Sequence, residues 1–363
     1  MKLRDKIIFI TISILIITLN NIFIFTDKEY YSENEFRYLT KFNEITFDKI
    51  INRETMDNIE EYISDHYPFR ESFIKIKNRF ELLIGKQSIN NVIVIDKYLI
   101  EQYNGFDNKD KLIDVLNTFK DNNDIDISLM LVPTSISINT NYLNKYQNTD
   151  EQINDIKYIY NNLDNINKID VYNTLKKENK NKEMYYKTDH HWTTFGALEA
   201  YKVFSKNNEN IDLRKVSSKF RGTIYSKVLI SDLYDDIYIY DISDELKVTY
   251  YLGTKNDIKE SVYNFSYLDS KDKYSIFLDN NKPLIKIENK SLDKDNNILV
   301  IKDSYANSFI PFLTRDYKEI HVIDPRYYNL SISEYIKKNK IKEVLFLYNM
   351  NTINDDTGIY KIK

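Results

Sequence analysis

From Ile7 to Phe25 the chain runs IIFITISILIITLNNIFIF, without a single charge. As a helix at about 1.5 Å per residue this stretch spans roughly 28 Å, close to the hydrocarbon thickness of a bilayer. Lys2, Arg4 and Lys6 precede it, and the acidic-leaning Asp27-Lys28-Glu29 follows it. Basic residues on the near side keep the N-terminus in the cytoplasm. No small-x-small cleavage motif follows the apolar run, so residues 1–26 read as an uncleaved signal anchor, with a cleaved signal peptide as the alternative. Residues 27–53 are polar and aromatic and read as a stalk. Residues 54–363 then form the folded domain outside a single-pass membrane anchor.

Within that domain the apolar period changes repeatedly. Ile59, Tyr62, Ile63, Phe69, Phe73, Ile76, Phe80 and Leu83 recur at three and four, the period of a helix, with a break at Pro68. Residues 89–95 and 98–100 predict a short hairpin. Strands are predicted at 125–132, 169–172, 297–301, 319–323 and 343–348. Helices are predicted at 110–120, 149–163, 194–204, 306–313 and 331–338. Apolar strands alternating with helices imply a mostly parallel sheet covered on both faces, an α/β sandwich. About residues 219–290 the pattern becomes short β-rich runs, at 237–240, 247–252 and 274–278, which read as an insertion between two halves of the sheet. The charged run 176–183 reads as a solvated loop or helix end.

Composition narrows the chemistry. The 363 residues include 31 Tyr and 19 Phe but only 6 Gly, 4 His, 1 Trp and no Cys. Without Cys there is no disulfide framework, thiol nucleophile or Cys-based zinc site. Neither glycine-rich nucleotide fingerprint occurs. A net charge of −4 does not suggest a nucleic-acid partner. The excess of Ile, Asn, Lys and Tyr follows an AT-rich codon bias, so the scarce residue types are the informative ones.

Two segments concentrate them. Asp189-His190-His191-Trp192-Thr193-Thr194-Phe195-Gly196 holds half the histidines and the only tryptophan, where an irregular stretch enters a helix. In extended chain, residues i and i+2 point the same way, so Asp189 and His191 share a face. A carboxylate beside an imidazole fixes its tautomer and stabilises the imidazolium, the base half of a triad. The second segment is ILVIKDSYANSF, residues 298–309, an apolar strand running into Ser304 and then a helix. Ser304 so placed fits a nucleophile at the carboxyl edge of a sheet, beside helix N–H groups that stabilise an oxyanion. Asp189, His190 and His191 with His321 also form a conceivable metal set. Adjacent histidines diverge and no further spaced ligand appears, so no metal is assigned. His190 and Trp192 stand as substrate contacts or as packing, and Arg326 as a rim cation or an ordinary ion pair.

TDHHWTTFGA, IKDSYANSFIPFL and DPRYYN, together with DHYPFR at 65–70, resemble the DHHW family of extracytoplasmic proteins, which is related to the alginate O-acetylation proteins. The resemblance runs from about residue 54 to about 350. It implies an SGNH-hydrolase-like three-layer α/β/α sandwich with Ser304, His191 and Asp189 as catalytic triad. Lys302-Asp303-Ser304 departs from the Gly-Asp-Ser of the wider SGNH group, and the Asp-His pair precedes the serine, an order the alginate relatives share. The resemblance further implies an O-acetyltransferase without cofactor, acting on a surface or secreted polysaccharide, with a membrane-bound O-acyltransferase as acetyl-supplying partner. A polysaccharide deacetylase or esterase, or an inactive polysaccharide-binding scaffold, stays open at this point. For the oxyanion, the backbone N–H of Ser304 or Tyr305 and the side chain of Asn281 are the candidates.

Overall fold

A computed structural model describes all residues except 1, 43–48, 50, 51, 53, 144–148, 254 and 363. The chain divides into two compact units, residues 1–90 with 225–232, and residues 91–224 with 233–363. The division thus falls near residue 90 and not at 53.

In the first unit, Leu3–Phe25 is one helix, long and apolar enough to cross a membrane. The segment read as a stalk is in part a small hairpin, Tyr31–Ser32 with Arg37–Tyr38. Residues 43–48, 50, 51 and 53 of that segment lie outside the described residues. Helices Glu54–His66 and Arg70–Leu83 flank Pro68 as the spacing predicts. The DHYPFR element ties the hairpin to them. Asp65 pairs with Arg37, Arg70 pairs with Glu35, and His66 Nε2 lies 2.8 Å from the Thr40 carbonyl.

The second unit is built on an eight-stranded sheet. Its order is Asn256–Lys259, Leu246–Tyr251, Leu284–Asn289, Glu319–Ile323, Asn297–Lys302, Glu343–Asn349, Asp126–Val132 and Asn167–Lys168. The last five strands are mutually parallel and the first three antiparallel. Strand Asn297–Lys302 is central, and side chains alternate between its faces. Ile298 and Val300 join one apolar cluster with helices Thr194–Ser205 and Ala306–Leu313. Leu299 and Ile301 join another with helices Lys109–Asn122, Glu151–Asn161 and Ile332–Asn339. Three layers result, because a sheet carrying apolar side chains on both faces needs a helical cover on each.

Three expectations change. The β-rich stretch is divided: Leu246–Tyr251, Asn256–Lys259 and Leu284–Asn289 extend the same sheet, while Asp235–Tyr240 pairs with Leu213–Phe220 in a two-stranded sheet of its own. The 274–278 run is a buried 3-10 turn, Lys273–Ile276, leading into left-handed backbone at Leu278, Asp279 and Asn280. The predicted 169–172 strand is shorter and earlier, Asn167–Lys168. Asp170 accepts the Tyr172 N–H at 2.9 Å and diverts the chain into helix Tyr172–Glu178.

From strand Asn297–Lys302 the chain moves one way to Glu319–Ile323, then back across to Glu343–Asn349 on the other side. Such a reversal leaves a crevice at the carboxyl ends of the strands. Lys302, Asp303, Ser304, Asp324 and Asn349 all fall at that edge.

Candidate active site

Ser304 follows the central strand and precedes helix Ala306–Leu313, and it is the one residue of 301–310 that is not buried. His191 Nε2 lies 2.8 Å from Ser304 Oγ, and His191 Nδ1 lies 2.5 Å from Asp189 Oδ1. Asp189 is held in turn. Its Oδ1 accepts the His191 backbone N–H at 3.0 Å, and its Oδ2 accepts the Thr223 N–H at 2.9 Å and the Thr223 hydroxyl at 3.1 Å. A carboxylate on Nδ1 keeps the proton there and leaves Nε2 as a lone-pair acceptor facing the serine.

Electrostatics agree with that assignment. Burial lowers the His191 pKa, to about 4; the nearby His190 adds to the shift and Asp189 opposes it. The imidazole is therefore uncharged at neutral pH, with Nε2 free of a proton. Burial raises the Asp189 carboxyl, but the two imidazoles and the Thr223 N–H outweigh it and hold the group well below the usual carboxylate range.

Several supports carry no sequence signature. Tyr274 stacks flat on the His191 ring, 3.6 Å between centroids at 11°, and its hydroxyl donates to the Ser304 carbonyl at 3.0 Å. Asp235 accepts the N–H groups of Lys187 and Thr188 at 2.8 and 2.9 Å, pinning the irregular segment that carries Asp189. A Cβ at Gly222 would collide with the Asp189 carboxylate. In a chain with 31 Tyr, nothing local separates Tyr274 from the rest. Gly222, one of six glycines, was the one signal available, because scarce glycines mark close approaches.

The serine turn is fixed from the neighbouring strand. Asp303 accepts the Tyr305 N–H at 2.8 Å, and the backbone and side-chain N–H groups of Asn349, both at 2.7 Å.

A family model described as DHHW protein matches residues 87–323. The chain belongs to the DHHW family. A DHHW family protein from Eubacterium siraeum is 25% identical in sequence and superposes with a TM-score of 0.64, covering 76% of this chain and 95% of the other. PatB1 from Bacillus cereus, in a structure with a sulfonyl adduct, is 21% identical with a TM-score of 0.64, covering 75% and 98%. A second PatB1 structure gives 19%, 0.61, 75% and 99%. The likeness to PatB1 is one of fold. No curated protein matches.

Within this DHHW protein the remaining sequence candidates sort unequally. Trp192 is fully buried, its Nε1 donating to the Tyr305 carbonyl at 2.9 Å and Ser308 Oγ at 3.0 Å, so it is packing and not a sugar platform. The Tyr305 N–H is committed to Asp303, and its buried hydroxyl donates to the His190 carbonyl, so Tyr305 offers no oxyanion donor. Arg326 forms a forked pair with Asp324, at 2.8 and 2.6 Å, and is an ion-pair residue. His190 is part-exposed, with Nδ1 2.5 Å from Thr223 Oγ1. Of the oxyanion candidates, the Ser304 N–H and Asn281 Nδ2 have no hydrogen-bond partner among the described residues. Asp189, His190 and His191 place ligand atoms within 4.8 Å of one another. Asp189 and His190 are already bonded to Thr223, and His191 to Asp189 and Ser304, so the group reads as a hydrogen-bonded relay. His321 sits apart from it, bonded to Tyr335.

Proposed function

We propose that this DHHW protein is an extracytoplasmic O-acetyltransferase that modifies a surface or secreted polysaccharide through an acetyl-Ser304 intermediate. The observation carrying this reading is the continuous relay from Asp189 through His191 to Ser304 Oγ, open to solvent only at the serine. Ser304 Oγ attacks the donor's acetyl carbonyl while its proton passes to His191 Nε2. The donor's leaving oxygen takes that proton as its bond to the acetyl group breaks. A sugar hydroxyl then gives its proton to His191 and attacks the acetyl-Ser304 carbonyl, and the serine leaves reprotonated. The Ser304 N–H and Asn281 Nδ2 hold the oxyanion in both halves. Asp189 keeps His191 in the required tautomer and stabilises the imidazolium in each. No cofactor enters this sequence of steps.

Acetyl donors of the cytoplasm do not reach the outer face, so a membrane-bound O-acyltransferase supplies the acetyl group, and helix Leu3–Phe25 holds the enzyme beside it. The test incubates the purified chain with an acetyl ester and oligosaccharides and separates products. Acetylated sugar is the expected result, lost in Ser304→Ala with folding unchanged. Acetate release unaffected by any oligosaccharide would replace transfer by hydrolysis. Full activity in Ser304→Ala would remove the nucleophile.

A further inference from the structure

Lys302 ends the central strand and is fully buried, two residues before Ser304. Burying an ammonium costs several kcal/mol unless partners replace its water. Its obvious partner, Asp324, is already taken by the guanidinium fork of Arg326 and lies 3.7 Å from Lys302 Nζ, beyond a good hydrogen bond. The close contacts are to two amides. Nζ donates to Asn281 Oδ1 at 2.6 Å and to Asn307 Oδ1 at 2.7 Å.

An ammonium has three donors and no acceptor, so both asparagines must turn their carbonyl oxygens toward it. That settles an orientation an isolated amide leaves two-fold. Asn307 then directs its own Nδ2 to Asn281 Oδ1 at 3.2 Å. Asn281 Oδ1 therefore accepts twice, while its Nδ2 has no partner among the described residues and faces away from the lysine. Nothing in the local backbone would fix this side chain, since Asn281 follows three successive left-handed residues, with φ of 55°, 54° and 67°.

We infer that Lys302 is a positioning residue: its ammonium, between Asn281 and Asn307, locks the Asn281 amide so that Nδ2 is presented as an oxyanion donor. This explains why a charged residue stands where the wider SGNH pattern has glycine. A glycine there leaves the amide unlocked, and a neutral side chain of equal length supplies no donor. The inference rests on the acetyl-serine reading, and Ser304 acylation tests that reading separately.

The experiment is a double-mutant cycle on the full chain in detergent, with an acetyl ester as donor and an oligosaccharide as acceptor. Asn281→Ala is expected to lower kcat about 100-fold with KM little changed, the usual scale for one oxyanion donor. Lys302→Met is expected to lower kcat about tenfold or more, and to add nothing in the Asn281→Ala background. Asn281→Asp keeps an acceptor for the lysine but removes the donor, and is expected to match Asn281→Ala. If Lys302→Met does not fold, Lys302→Leu, which likewise supplies no donor, carries the same cycle. The inference is overturned if the lysine variant keeps wild-type kcat, or if it imposes its full loss again on Asn281→Ala. It is also overturned if Asn281→Ala is fully active while Ser304 still acylates.

Discussion

Half of the chain's histidines and its only tryptophan fall in eight residues, Asp189 to Gly196, and three of the eight do quite different things. His191 faces the serine, Asp189 holds the imidazole from its other nitrogen, and Trp192 is sealed against Tyr305 and Ser308. The hydrogen-bonded arrangement of Asp189, His191 and Ser304 was legible because the Asp-x-His spacing and the strand–serine–helix junction are local features. Tyr274, Asp235, Gly222 and Lys302 were not legible as site residues, because only the fold brings them within reach. Tyr305 was misjudged because nearness in sequence to a nucleophile says nothing about burial, whereas Trp192, read as substrate contact or packing, resolves to packing. The His191 pKa carries a prediction at this scale. An imidazole pulled down to about 4 stays a base to lower pH than one at its ordinary 6.5. Protonation removes its acceptor, so kcat/KM falls as pH drops through that value. The acid limb of the pH profile is expected near 4, and His190→Gln is expected to move it upward by removing one of the effects that lower it. A limb at 6.5 in the wild type would contradict this. Gly222→Ala is expected to push the Asp189 carboxylate out of line and to lower kcat about 10- to 100-fold with the fold retained, read by steady-state kinetics and circular dichroism.

Among elements, the site is a property of strand ends. Strand Asn297–Lys302 is apolar on both faces and buried, which the uninterrupted ILVI run made legible. Its register against Glu343–Asn349 was not legible, yet that register puts Asn349 where Asp303 can accept two of its N–H groups. Asp303→Asn turns one acceptor into a donor against three donors already present. It is expected to cost about 2–4 kcal/mol by chemical denaturation and to loosen the serine turn. Trp192→Phe loses the bonds to Tyr305 and Ser308 and leaves a cavity; a cost of about 2 kcal/mol is expected by the same measurement. The place of Leu246–Tyr251, Asn256–Lys259 and Leu284–Asn289 in the main sheet escaped because antiparallel additions to an otherwise parallel sheet carry the same short alternating pattern as an insertion with a sheet of its own, such as Asp235–Tyr240 with Leu213–Phe220.

At the scale of the molecule, an apolar helix of 23 residues precedes a unit whose candidate site is assembled from segments more than a hundred residues apart. If that helix is an anchor, the full chain sediments with membranes, resists extraction by high salt and is released by detergent. Removal of residues 1–26 is expected to free it while acetyl transfer from a soluble ester persists. Recovery of the full chain in the salt wash would contradict the anchor. The proposed transfer turns on one oxygen, Ser304 Oγ. The most direct measurement is intact-protein and peptide mass spectrometry after a brief reaction with an acetyl ester at low pH quench. The account predicts one added acetyl group, carried by the peptide containing Ser304 and absent in Ser304→Ala. Turnover with no acetyl group ever on Ser304, or acetylation undiminished in the variant, would contradict it.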